Sequence, residues 1–171
     1  MNISLQNKRK GKFVSESALA GHRIELIQEE ANPSEIFYGS RILQIIDKIA
    51  IKVADNHAEA KCKIERIDFV RFFAPAKKGD ILICSAAVNR AWHHDMEVGV
   101  KVVAEDLRLL EQKDILYAYF TLTAMDEGDN KILIPYLILE DKLQKRRYIE
   151  AGKRRMSYVR NSFKKSIGIH I

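Results

Sequence analysis

"ANPSEIFYGSRILQIIDKIAIKVAD", residues 31–55, decides how this chain is read. From Arg41 onward its polar residues recur as in a helix. At 100° per residue, Arg41, Gln44, Lys48, Lys52 and Asp55 fall within an arc of about 80°. The rest of the circumference is largely apolar, so the helix is expected to be wrapped by other structure. Asp47 lies about 60° outside the polar arc, beside Ser40, Ile51 and Ala54 and near Leu43. Two readings of Asp47 follow. It is a flank carboxylate that reaches solvent or a lysine, or it is a general base or nucleophile at a pocket edge, tuned by partial burial.

Upstream, Asn32-Pro33-Ser34 is a turn signal, and Ser40 is an acceptable N-cap for a helix opening near Gly39. A helix N-terminus presents free N–H groups and a positive dipole end, which could polarise a carbonyl. An ordinary turn and cap explains the same residues. Asn56-His57 ends the helix.

Beyond it the period changes to two. Strands are expected at Lys61–Phe73, Ile81–Ala91, Met96–Leu107 and Ile115–Met125, with an earlier one at His22–Gln28. Pro75 with Lys78-Gly79-Asp80, and the run Asp126–Asn130, supply turns. Leu139–Phe163 reads as a basic helix. The expected architecture is α+β: a five-stranded antiparallel sheet curled around one long helix, plus a basic C-terminal helix. Residues 1–20 form a polar N-terminal segment, 21–138 the main domain, and 139–171 the basic helix and tail.

Composition narrows the function classes. With 171 residues, 47% hydrophobic and 30% charged, the chain is globular in character. Its net charge of +6 is concentrated in the tail, since Glu140–Lys165 holds ten Lys or Arg and three acids. No run is long enough to span a membrane, and the N-terminus does not read as a secretory signal. Cys62 and Cys84 suggest neither a disulfide framework nor a zinc site, so a reducing cytoplasmic location is expected. His93-His94-Asp95 reads as a polar hairpin loop or a ligand contact. Adjacent strand residues point to opposite faces, and no metal site is expected. The tail could attract a polyanion or be a solvated face. Without a recognisable nucleic-acid module, no nucleic-acid partner is expected. Walker, Gly-x-Ser-x-Gly and G-x-G-x-x-G motifs are absent.

Taken together, four stretches resemble the hotdog-fold acyl-CoA thioesterases, in the group of bacterial short-chain and brain-type cytosolic acyl-CoA hydrolases. They are Asn32 through Asp47, "VRFFAPAKKGD" (70–80), "HHDMEVGVKVVAEDL" (93–107) and "RRYIEAGKRR" in the tail. The resemblance implies a hotdog fold, dimers paired through their sheets, and a homohexamer of three such dimers acting in lipid metabolism. It implies hydrolysis of acyl-CoA to free acid and CoA with no metal or organic cofactor. Asp47 would be the catalytic base or nucleophile, Asn32 would face it from the partner subunit, and Gly39 would open the helix. Tyr38, Ser40, Arg71, His93, His94, Arg147 and Lys153 would contact substrate, the basic ones serving the CoA phosphates. Ser40 replaces the usual second glycine. Asp95 stands where Ser or Thr is common, in a loop where an acid would oppose those phosphates. The alternative is a hotdog protein that binds acyl-CoA or lipid without turnover.

Overall fold

A computed structural model describes residues 9–26, 32–106, 109 and 111–166, the last four by backbone alone. In chain order the elements are β1 (Gly11–Phe13), a 3-10 turn (Val14–Glu16), β2 (Leu19–Glu25), α1 (Gly39–Ala58) and β3 (Lys61–Phe72). They continue with β4 (Asp80–Ala91), β5 (Asp95–Asp106), β6 (Glu111–Met125), β7 (Tyr136–Ile138) and α2 (Lys142–Ser166). Five strands form one antiparallel sheet in the order β2-β4-β5-β6-β3, while β1 pairs in parallel with β7.

α1 forms where the sequence periodicity expects it, because Ile42, Ile46, Ile49, Ala50, Val53, Ala54 and His57 fall on one buried stripe. That stripe packs into the curl of the sheet, against β3 to β6. The sheet meets it with alternating residues: Leu82, Cys84, Ala86 and Val88 from β4, Met96, Val98, Val100 and Val102 from β5, and Ala118, Phe120 and Leu122 from β6 are all buried. Each fully buried Ile, Leu or Phe contributes about 1.5–3 kcal/mol. The helix stops at Glu59, which takes the left-handed conformation and donates its N–H to the Asp55 carbonyl at 2.9 Å.

Several boundaries differ from the sequence reading. The N-cap position belongs to Tyr38, which is extended, so Ser40 lies inside the first turn and no side chain caps the helix. β2 begins at Leu19, earlier than the expected His22; the expected ends at Gln28 and Leu107 lie outside the described residues. β6 begins four residues before Ile115, where polar Glu111–Asp114 pair with residues 103–106 at the end of β5. Asp95 is the first residue of β5 rather than part of a loop. β1 and β7 were not expected, because three residues are too few to show a period. α2 begins at Lys142, where Asp141 accepts the Gln144 N–H at 2.7 Å in the manner of an N-cap.

α2 docks on the outward face of the sheet through charges. Glu97 is 2% exposed and accepts two hydrogen bonds from Arg154, at 2.9 and 2.6 Å, and one from Asn89 at 2.9 Å. A Cβ at Gly99 would stand 2.7 Å from the Asn89 amide nitrogen, so glycine there leaves that amide room. The Arg154 guanidinium also lies 3.9 Å over the Tyr119 ring. One position on, Arg155 reaches Asp95 at 3.0 Å, and Asp95 also accepts from Thr123 at 3.0 Å. Arg66 stacks on Tyr158 at 3.9 Å.

Two outcomes follow from this packing. Arg154→Met strands the buried Glu97 charge and should cost about 3 kcal/mol, the low end for a broken buried pair because Arg154 is partly exposed. Urea unfolding measures it, and adding Glu97→Leu should recover part of the loss. Second, burial pushes the His57 imidazole below its ordinary 6.5, while its Nε2 lies 3.1 Å from the Pro135 carbonyl. The folded state therefore favours neutral His57. Its contribution is complete above pH 6.5 and is lost as pH falls towards the lowered value. Thermal melts of wild type and His57→Gln between pH 7.5 and 5 should show a smaller pH dependence in the variant.

Candidate active site

The start of α1 is held by two loops that hydrogen-bond to each other. Asn32 folds its own turn, its Oδ1 accepting the N–H groups of Ser34 at 2.9 Å and Ile36 at 3.0 Å. Phe37 then donates to the Ala76 carbonyl at 3.0 Å, and Lys78 donates to the Glu35 carbonyl at 2.9 Å. The segment before α1 is thus tied to the segment after β3. Between them lies a cavity of about 350 Å³ lined by Phe37, Gly39, Ile42, Phe72, Phe73 and residues 74–76. A Cβ at Gly39 would stand 3.2 Å from the Phe72 ring, so glycine lets the helix backbone approach that wall. An apolar cavity beside a helix N-terminus uncapped by any side chain suits an apolar ligand carrying a polarisable oxygen.

Asp47 lies about 12 Å further along the same helix, eight residues at 1.5 Å each. It is half-buried, and its Oδ1 is fully enclosed without a hydrogen-bond partner among the described residues. A buried carboxylate oxygen without a donor is rare, because desolvation costs energy that a hydrogen bond would recover. No hydrogen bond joins Asp47 to Asn32, and Asp47 does not line the cavity.

The other expected contacts divide by location. Tyr38, Gly39 and Ser40 stand at the helix start, with Tyr38 exposed. Arg71 is exposed on β3 beside Phe72, its guanidinium 4.9 Å over the Phe73 ring. His93 and His94 lie in the turn between β4 and β5. His94 Nδ1 is 2.9 Å from the Ile132 carbonyl, and the His93 carbonyl accepts from Ile134 at 3.0 Å. Arg147 and Lys153 line two different clefts beside α2. Of the expected residues only Gly39 lines the cavity, with Tyr38 and Ser40 as its chain neighbours and Arg71 beside the wall residues Phe72 and Phe73. The sequence reading did not single out Phe72 and Phe73 as site walls. Their signal was the pair of aromatics in "RFFAPA", where the apolar run outlasts the strand.

Burial, reinforced by Asp55, pushes the Cys62 thiol up to about 12, and burial pushes Cys84 up to about 11, so neither supplies a thiolate at neutral pH. Among the described residues no three His, Cys, Asp or Glu cluster as a metal would require, and no helix is long and apolar enough to cross a membrane.

The family model of the thioesterase superfamily matches residues 35–111. Protein VdlD of Helicobacter pylori is 27% identical over 139 residues, covering 81% of this chain and 79% of that one. An apo-hexameric acyl-CoA thioesterase superposes with a TM-score of 0.86 at 25% identity, over 90% of this chain and 97% of that one. An acyl-CoA hydrolase from Staphylococcus aureus, solved with butyryl coenzyme A, coenzyme A and coenzyme A disulfide, gives 0.81 at 29% identity, over 92% and 96%. That enzyme has also been solved with alanine replacing an asparagine, an aspartate fifteen positions later, or a threonine seventeen positions beyond the aspartate.

Proposed function

The chain belongs to the hotdog-fold acyl-CoA thioesterases, and from that premise we propose that Asp47 is the carboxylate of its hydrolytic site. The enzyme hydrolyses an acyl-CoA thioester to the free acid and CoA. The observation that carries the proposal is the buried, unpaired Oδ1 of the half-buried Asp47, which leaves the carboxylate's hydrogen-bonding capacity unfilled within one chain. The spacing supports it: Asn32 and Asp47 lie fifteen residues apart, as do the asparagine and aspartate replaced in the Staphylococcus aureus enzyme. At the spacing of that enzyme's threonine this chain has Ile64, so the proposed machinery here lacks that hydroxyl.

The thioester carbonyl docks towards the open N–H groups of the partner subunit's Gly39 and the partner subunit's Ser40, which stabilise the oxyanion as it forms. Asp47 takes a proton from a water that Asn32 orients, and the hydroxide attacks the carbonyl carbon. Collapse of the tetrahedral adduct breaks the C–S bond, and the proton taken up by Asp47 passes to the departing sulfur, which releases CoA as the thiol and restores the carboxylate. No metal or organic cofactor takes part in this scheme.

Within one chain Asn32 and Asp47 do not meet, so the proposal places the partner subunit's Asn32 opposite Asp47. β3 is one of the two edge strands of the sheet and exposes Ile67, Phe69 and Phe72, with Phe73 just beyond, each more than 40%. An apolar edge strand of this kind is a pairing surface. Two copies joined there form the dimer, and three dimers form a hexamer. Tyr38, Ser40 and Arg71 contact substrate from the cavity side, while His93, His94 and Arg147 contribute to a substrate held across subunits. The proposed setting is the cytoplasm.

A thiol-release assay across acyl-CoAs from acetyl to palmitoyl tests this. Wild type should release CoA, and Asp47→Ala and Asp47→Asn should lower kcat by roughly 10²–10⁴ at unchanged oligomer size. Near-wild-type turnover by either folded variant overturns the role of Asp47. Tight acyl-CoA binding by wild type with no thiol released would instead establish a non-catalytic binding protein.

A further inference from the structure

A cleft larger than the cavity at the start of α1 lies between α2 and the end of β4 and shares no lining residue with that cavity. It encloses about 700 Å³, within the range of sites for small organic ligands. Its lining includes four cations, Arg90, Lys153, Arg155 and Arg160, and no carboxylate.

The floor is a stack of aromatic rings and guanidinium groups. Arg90 lies 4.3 Å over the Tyr148 ring and 5.7 Å from the Trp92 ring, and Arg155 lies 4.2 Å over the other part of that stack, Trp92. Arg90 fits here because Gly152 lacks a Cβ, which would collide with the guanidinium. No carboxylate pairs with Arg90 among the described residues, and its Nε is buried without an acceptor. Asp95 takes Nη2 of Arg155 at 3.0 Å and leaves Nη1 buried without an acceptor. Arg90 and Arg155 thus both line the cleft, and each has one donor without an acceptor. Such donors are costly to bury and are satisfied by an oxyanion.

The mouth has the opposite character. Ile149, Met156 and Val159, 57%, 74% and 57% exposed, form an apolar row along α2 beside the floor. The lining has no Asp, Asn, Gln, Ser or Thr, so it offers little to read the base and sugar of a nucleotide. An anionic head with a hydrocarbon body matches both halves.

We propose that this cleft is a second binding site, which takes a carboxylate with an apolar chain, its head on Arg90 and Arg155 and its chain along Ile149, Met156 and Val159. The ligand is of the same class as the acid released by the proposed reaction, so the site would sense product. The proposal rests on the thioesterase reading for the source of the ligand, but binding can be measured without turnover.

Trp92, the chain's single tryptophan, reports on the site directly. Decanoate below its micellar concentration is titrated into the intact Asp47→Ala oligomer while Trp92 fluorescence is read, with decanol, CoA and phosphatidylglycerol vesicles as separate arms. The expected result is a saturable change with decanoate alone, weakened roughly tenfold or more by Arg90→Gln, as for loss of a charged hydrogen bond. Met156→Asp, on an exposed side chain that does not threaten folding, should weaken it as well. The absence of a saturable change with decanoate, an equal response to decanol, or unaltered affinity in both variants overturns the proposal. A response to CoA alone would make the cleft a cofactor-phosphate site, and one to vesicles alone a membrane contact; either replaces it. Residual turnover by Asp47→Ala would bear on the hydrolytic reading and leave this measurement intact.

Discussion

Everything functional in this molecule depends on one packing constraint, the burial of a single stripe of α1 in the curl of the sheet. Ile46, Ala50 and Ala54 are wholly enclosed there, which fixes the rotation of the helix about its own axis. Once that rotation is fixed, Asp47 can occupy only the border between the buried stripe and the open side. The same packing brings the helix start against Phe72, where the loops at 32–38 and 76–78 hold it by backbone hydrogen bonds. The cavity and the carboxylate are therefore two consequences of one helix position.

A second constraint operates on the other face of the sheet and is electrostatic. Most cations of the basic helix α2 are exposed, but two of its arginines reach into the sheet. Arg154 and Arg155 are committed to Glu97 and Asp95, and Arg146 lies 3.8 Å from Glu150. This resolves the difficulty posed by Asp95, whose charge is met by Arg155 and Thr123. It also explains why the tail's excess of positive charge overstates what remains for an external polyanion. Of the tail's other cations, Lys153 and Arg160 line the cleft beside Trp92, together with Arg155 and with Arg90 of β4.

The sequence disclosed some of this well and some not at all. The α1 stripe was legible because twenty residues span more than five turns, and β4 to β6 were legible because valine, alanine and aromatic residues alternate over twelve or more positions. The short pair β1 and β7 left no periodic trace, since their partners are about 125 residues apart in the chain. Asp47 stood out as an acid on the wrong flank, but its lack of a partner is a property of three dimensions. Glu97 was visible only as one charge in an otherwise apolar strand, and its pairing with a residue 57 positions away could not be read from spacing.

The central claim is that Asp47 of one subunit acts with Asn32 of another. The most direct test mixes two inactive proteins, Asp47→Ala and Asn32→Ala, under conditions that let subunits exchange, and measures thiol release. In a mixed dimer one interface site carries both substitutions and the other carries neither, so an equal mixture should recover about a quarter of wild-type activity. No recovery, with exchange of subunits demonstrated, would contradict the account and return both residues to a single chain or to no catalytic role.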